Sequence, residues 1–208
     1  MPSIPTSPSD EKRALRERML ALRARLPPDV RAAASQAIAE RLESLPAWRS
    51  ARTVALHAAL GAEVETADLA RRAVSAGKRV VWPRVARSGP TSGPAMEFAE
   101  CAASGLAAGA TRALEPPPSA PIVPGREVDL VCVPGVAFDA RGGRLGRGRG
   151  HYDATLARLP RSAFRVGLAF ESQIVSSVPS EPHDERVDVV VTEARVRPAS
   201  DEHGAGRG

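Results

Sequence analysis

Between Asp10 and Pro46 apolar residues return at helical spacing. Leu15, Met19, Leu22 and Leu26 recur at steps of four, three and four before Pro27, which predicts a helix capped by Asp10. Pro28 suits the first turn of a second helix, with Val30, Ala34, Ile38, Leu42 and Leu45 turned inward, ending before Pro46. Together they predict an N-terminal helical hairpin. Past Arg52 the period changes. Residues 53–56 read as a short buried strand, Thr66 as the cap of a helix to Ala76 that Gly77 closes, and residues 78–82 as a second strand. Strand, helix and strand in about 30 residues form a βαβ unit, which implies a parallel sheet. Residues 86–125 hold seven prolines and five glycines and are expected to be loops, with a short strand at 96–99. Further strands are expected at 128–133, 164–169 and 187–192, with a loop at 134–150 and a helix at 151–159. No internal repeat is visible. The expected fold is α/β, one domain over residues 10–198 with a largely parallel central sheet flanked by helices. Residues 1–9 and 199–208 are expected to be disordered tails.

Composition sharpens this picture in two places. At 208 residues, 43% hydrophobic and 25% charged, the chain can bury a core without metal or disulfide staples. No apolar run reaches the ~18 residues of a membrane span, and the N-terminus lacks the basic and apolar regions of a secretory signal. Cys101 and Cys132 fit a reducing compartment better than a disulfide framework, so a cytoplasmic location is expected. The net charge is +5, from 27 arginines and two lysines against 24 acidic residues. Four of those arginines fall within residues 141–150, which contain no acid. Such concentration argues for an anionic partner at one place. The 3% aromatic content counts against a base-stacking surface for nucleic acid.

That basic segment carries the chemistry. A buried strand feeds a loop with five glycines among residues 142–150, and a helix follows. Glycines let backbone N–H groups converge on an anion, and Arg144, Arg147 and Arg149 offer guanidinium forks suited to phosphate. Asp153 could hold a Mg2+ that bridges phosphate oxygens. The segment is neither a Walker loop nor a Gly-x-Gly-x-x-Gly dinucleotide loop. A solvated Arg/Gly linker and an RNA-binding RGG element starting at Arg141-Gly-Gly143 are the competing readings.

Val133-Pro-Gly135, Ala137-Phe-Asp139, Arg144-Leu-Gly146, Gly148, Gly150 and Tyr152-Asp153 closely resemble the signature of the 5-formyltetrahydrofolate cyclo-ligase family. Lys12-Arg-Ala-Leu-Arg16, Glu63-Val-Glu-Thr66, Gly77-Lys78 before Pro83-Arg84, and His183-Asp184 running to Val187-Asp188 and Thr192-Glu193 resemble further family motifs in the same order. The resemblance implies an ATP- and Mg2+-dependent enzyme that turns 5-formyltetrahydrofolate into 5,10-methenyltetrahydrofolate, releasing ADP and phosphate. Phosphorylation of the formyl oxygen would make it a leaving group, and N10 would close the ring. A non-catalytic RNA-binding protein is the rival function, and a related fold acting on another substrate is a second.

The resemblance also implies roles. Residues Lys12, Arg13, Ala14, Leu15 and Arg16, with Arg144, Leu145, Gly146, Arg147, Gly148, Arg149, Gly150, His151 and Tyr152, would bind the nucleotide. Leu60, Glu65 and residues 147–151 would meet the folate, with Arg147, Arg149 and Tyr152 catalytic. Asp153 and Asp188 would hold Mg2+. His151 stands where the family commonly has tyrosine. His57 reads as a core or strand-end histidine. A monomer with no specific nucleic-acid or membrane partner is expected.

Overall fold

The computed structural model describes residues 7–85, 95–109 and 113–200. Its helices are α1 (Pro8–Ala24), α2 (Pro28–Ser44), α3 (Pro46–Ser50), α4 (Ala67–Ser75) and α5 (His151–Leu156). Eight strands form the main sheet: β1 (Thr53–Ala55), β2 (Arg79–Val85), β3 (Met96–Glu100), β6 (Ile122–Val123), β7 (Leu130–Pro134), β10 (Phe164–Leu168), β11 (Val189–Val191) and β12 (Val196–Pro198). Two small ribbons pair β4 (Ala107–Ala108) with β5 (Leu114–Glu115), and β8 (Ala137–Phe138) with β9 (Arg144–Leu145).

Strand order is β12-β11-β10-β7-β1-β2-β3-β6. The five central strands from β11 to β2 run parallel, and antiparallel pairs close both edges. Alternation sorts the side chains onto two faces. Val54, Leu56, Val80, Trp82, Leu130, Cys132, Val166, Leu168, Val189 and Val191 pack under α2 and α4. Ala55, Val81, Val131, Val133 and Val190 pack against Leu156 and Leu159 on the other face. From β1 the chain moves to β2 on one side, then returns to add β7 on the other. That reversal opens a crevice between the carboxyl ends of β1 and β7, the place where open α/β sheets bind ligands.

The βαβ unit and the parallel sheet stand as expected; the boundaries move. Helix α1 starts at Pro8, inside the expected tail, and Ser7 caps it by accepting the Asp10 N–H. At the other end the Ser200 N–H donates to the Ala140 carbonyl, so the backbone is tied two residues past 198. The tails at 1–6 and 201–208 lie outside the described residues. The helical hairpin is corrected in its packing. Met19 of α1 buries with Val136, Ala137, Leu145 and Val178, whereas Ile38, Ala39 and Leu42 of α2 enter the sheet core. Leu22 and Val30, expected inward, are exposed because the two helices serve different cores. Strand β2 runs past Pro83 to Val85, carried by its antiparallel pairing with β3. Parts of the expected loop region, 86–94 and 110–112, lie outside the described residues. Helix α5 ends at Leu156, three residues early.

Candidate active site

A cleft of about 660 Å3 sits over the switch point. Its walls are the segment after β1 (His57, Ala58, Leu60, Glu63), the ends of β2 and β7, residues 144–153, and Lys12 and Arg16 of α1. Residues more than 100 positions apart therefore share one cavity of the size that holds small-molecule ligands.

Asp139 shapes the loop. Buried after β8, it accepts the N–H groups of Arg141 and Gly143 on Oδ1, each at 2.9 Å, and of Val178 on Oδ2 at 2.8 Å. A Cβ at Gly143 would stand 2.7 Å from this carboxylate, so the turn requires glycine there. Gly148 is different. Its φ of +90° favours glycine, and a Cβ would press the Arg16 guanidinium at 3.3 Å. Arg16 Nε donates to the Gly146 carbonyl at 2.9 Å, fastening α1 to the loop.

The loop arginines differ in their freedom. Arg144 is buried and donates to Asp153 Oδ1 at 2.7 Å, with its guanidinium 5.6 Å from the centre of the Tyr152 ring. Arg147 reaches across the cleft to Glu63 Oε1 at 2.8 Å and to the Leu60 carbonyl at 3.0 Å. Arg141 donates to the Ser177 hydroxyl. Arg149 lines the cleft with no ion pair among the described residues. Lys12, only 9% exposed, donates to Glu181 Oε2 and Asp184 Oδ2, both at 2.6 Å. Burial works against its charge, but the two carboxylates outweigh it and raise the Lys12 pKa; the same pair holds Asp184 low against its own burial. Burial, with Glu63 adding, pushes the Tyr152 phenol up, so it stays an O–H donor at neutral pH.

The structure brings some of the expected site residues together and leaves others apart. Lys12, Arg16, Leu60, Leu145 and the whole run from Arg144 to Asp153 line the cleft. Arg13 and Ala14 are exposed off it, because they lie on the outer face of α1, and Leu15 packs beside Met19. Glu65 is exposed, with its amide held by Ser35 Oγ; Glu63, two residues earlier, carries the carboxylate that faces the cleft. Asp188 precedes β11 at the amino edge of the sheet, away from the cleft, where Oδ2 accepts the Arg165 N–H at 2.7 Å. It is not brought to Asp153. Glu63, Asp139, Glu181 and Asp184 had no expected role. Glu63, Asp139 and Asp184 lie in quoted motifs, which was the signal available for them. Asp153 lines the cleft and keeps one oxygen, Oδ2, without a hydrogen bond among the described residues, since Arg144 and the Glu185 N–H both use Oδ1. One carboxylate beside a phosphate-sized anion is a donor set that suits Mg2+. Asp188 does not fit that set.

Comparison with known proteins bears on this cleft directly. Residues 8–193 match the 5-formyltetrahydrofolate cyclo-ligase family. The 5-formyltetrahydrofolate cyclo-ligase of Mycolicibacterium smegmatis is 32% identical over 188 residues, covering 88% of this chain and 94% of that protein. The Escherichia coli K12 protein of the same name is 32% identical over 174 residues, covering 82% and 94%. The NMR structure of Aquifex aeolicus 5,10-methenyltetrahydrofolate synthetase superposes with a TM-score of 0.78 at 31% identity, over 94% of this chain and 96% of that one. A Mycoplasma pneumoniae 5,10-methenyltetrahydrofolate synthetase, 22% identical with a TM-score of 0.70 over 88% of this chain and 98% of that one, shares the fold. No described helix is long and apolar enough to cross a membrane. Since the family match begins with α1, which brings Lys12 and Arg16, and ends past β11, it takes in every wall of the cleft, and this chain belongs to the 5-formyltetrahydrofolate cyclo-ligase family of ligases.

Proposed function

We propose that this chain, as a monomer, converts 5-formyltetrahydrofolate to 5,10-methenyltetrahydrofolate, using ATP and Mg2+ and releasing ADP and phosphate. The observation that carries the reading is the meeting of an arginine–glycine loop, an α1 lysine–arginine pair and a buried carboxylate in one cleft over the switch point. Cation-rich walls suit the nucleotide phosphates. Glu63, on the opposite wall, suits the amino and ring N–H donors of a pterin.

The chemistry needs positioning more than a protein nucleophile. The formyl oxygen attacks the γ-phosphorus, the bond to the β-phosphate oxygen breaks, and ADP leaves. N10 then adds to the formyl carbon and gives up its proton. The carbon–oxygen bond breaks, and phosphate leaves carrying the former formyl oxygen. Among the described residues Arg149 makes no hydrogen bond and Arg16 uses only Nε, so both offer N–H donors to phosphate oxygens, and Lys12 supplies an ammonium beside them. Arg147, paired with Glu63 across the cleft, and Tyr152, in the first turn of α5, would stabilise charge developing between the two substrates. Asp153 would hold Mg2+ through Oδ2, and the ion would neutralise phosphate oxygens.

The RNA-binding reading has less support, since three of the four loop arginines are already engaged by the protein's own groups. The test is absorbance of the methenyl product from 5-formyltetrahydrofolate, with and without ATP. Formation only with ATP supports the reading; product without nucleotide, or none with it, refutes it.

A further inference from the structure

Arg147 meets Glu63 with two donors on one oxygen, Nε at 2.9 Å and Nη2 at 2.8 Å from Oε1. Nη2 also donates to the Leu60 carbonyl at 3.0 Å, and Glu63 Oε2 accepts the Leu60 N–H at 2.9 Å. Both carboxylate oxygens are thus engaged, and Arg147 takes the lone pairs of Oε1. A guanidinium and the amino-pyrimidine edge of a pterin present the same unit, a carbon flanked by nitrogens with N–H donors side by side. A carboxylate that suits one suits the other. The arginine and a pterin edge therefore compete for Glu63, and Oε1 cannot serve both.

Glu63 has a second cation, and the two are held unequally. Arg23 of α1 is buried, donates to the Gly135 carbonyl at 3.1 Å and stands 3.8 Å from Glu63 Oε1. Burial lowers the Arg23 pKa, Glu63 opposes that, and Arg147 adds to it, because two guanidiniums share one carboxylate. Arg147 is the surplus cation. Its side chain is 40% exposed, so its departure strands no buried charge on its own side. Glu63, 8% exposed, would still keep Arg23 and the Leu60 N–H. The loop backbone can stay in place, tied by Arg16 Nε to the Gly146 carbonyl. Arg149, two residues on, and Arg16 line the same cleft, so phosphates gathered there would offer the released guanidinium a new anionic partner.

We propose that Arg147 is a swinging arm that closes Glu63 to the pterin until nucleotide phosphates draw it away, so that ATP and folate strengthen each other's binding. This rests on the cyclo-ligase reading of the cleft, with Glu63 as the pterin's carboxylate. The test is calorimetric titration of 5-formyltetrahydrofolate into wild type, Arg147→Met and Arg147→Lys, with and without the β,γ-methylene analogue of ATP, which blocks turnover. In wild type the analogue should tighten folate binding about tenfold, and folate should tighten analogue binding by the same factor. Arg147→Met removes the competitor. Without the analogue it should bind folate at least as tightly as wild type, and the coupling should shrink to within about twofold of none. Arg147→Lys, which keeps the charge but loses the fork, should fall between. An uncoupled wild type, an Arg147→Met protein that keeps the coupling, or one that binds folate more weakly without the analogue overturns the proposal. So does a lower melting temperature with coupling unchanged, which marks the bridge as a structural bond alone. Should Arg147→Met fail to fold, Arg147→Lys decides, and coupling equal to wild type overturns the proposal. A wild-type protein that forms no methenyl product from folate and ATP removes the cyclo-ligase reading itself, whereas product without coupling removes this proposal alone.

Discussion

Replacing Asp153 by asparagine separates two things this carboxylate does. Its Oδ1 neutralises Arg144, whose side chain is 2% exposed, while Asp153 itself is 17% exposed. Asparagine keeps the shape and can still accept from the Glu185 N–H, but leaves a buried guanidinium unpaired. Breaking a buried pair this way costs about 3–5 kcal/mol, and partial hydration of Asp153 places the expected loss near the lower end, about 3 kcal/mol. For a chain of this size that is roughly 6–12 °C in melting temperature. Arg144→Met should cost less, about 1–2 kcal/mol, because the remaining carboxylate can reach water. The double variant should fall short of the sum by roughly 2 kcal/mol, since it strands neither charge. Thermal melts of all four proteins measure the coupling. The same Asp153→Asn protein, assayed well below its melting temperature, should lose at least ~10²-fold in turnover if the free oxygen holds Mg2+. A coupling under about 0.5 kcal/mol would refute the buried-pair argument, and wild-type turnover at every Mg2+ concentration would refute the metal assignment.

Arg149→Ala should raise the KM for nucleotide or folate about tenfold with no change in melting temperature, since the side chain is exposed and unpaired among the described residues; a lower melting temperature would show a structural bond instead. Glu63→Gln should both destabilise the protein and weaken folate binding, because Arg147 and the Leu60 N–H depend on it, whereas Glu65→Gln should leave both within error. Swapped outcomes would put the substrate carboxylate back at position 65. Stability against pH should reflect the Lys12 cluster. Asp184 is held below its ordinary value of 3.8, so its contribution is complete above that value and is lost as pH falls further. Lys12 is raised above 10.5, so its contribution is complete below that value and is lost as pH rises past it. Lys12→Met should flatten both arms of the melting profile, and an unaltered profile would show the cluster to be energetically silent.

What the sequence determines here is whatever depends on neighbours along the chain. The short, near-continuous apolar runs of β1, β7 and β11 mark strands buried on both faces wherever those strands end up. Pro28 and Gly77 mark boundaries because their backbone limits are local, and the spacing of Lys12 and Arg16 sets one helix face whatever packs on it. The glycine-rich loop is legible for the same reason. The tertiary structure decides pairings across distance. Nothing near Lys12 announces that its charge will be met by Glu181 and Asp184, 169 and 172 residues away. Nor does the loop's composition reveal that Asp153, Glu63 and Ser177 engage three of its arginines, while Arg149 has no partner among the described residues. The choice of Glu63 over Glu65 lies in an irregular turn with no period to extrapolate. Helices α1 and α2 look alike in pattern, yet they bury against different cores, because the β8–β9 ribbon that receives α1 forms more than a hundred residues later. Side-chain ion pairs are set by where the backbone brings charges together, and that follows from the order of strands in the sheet.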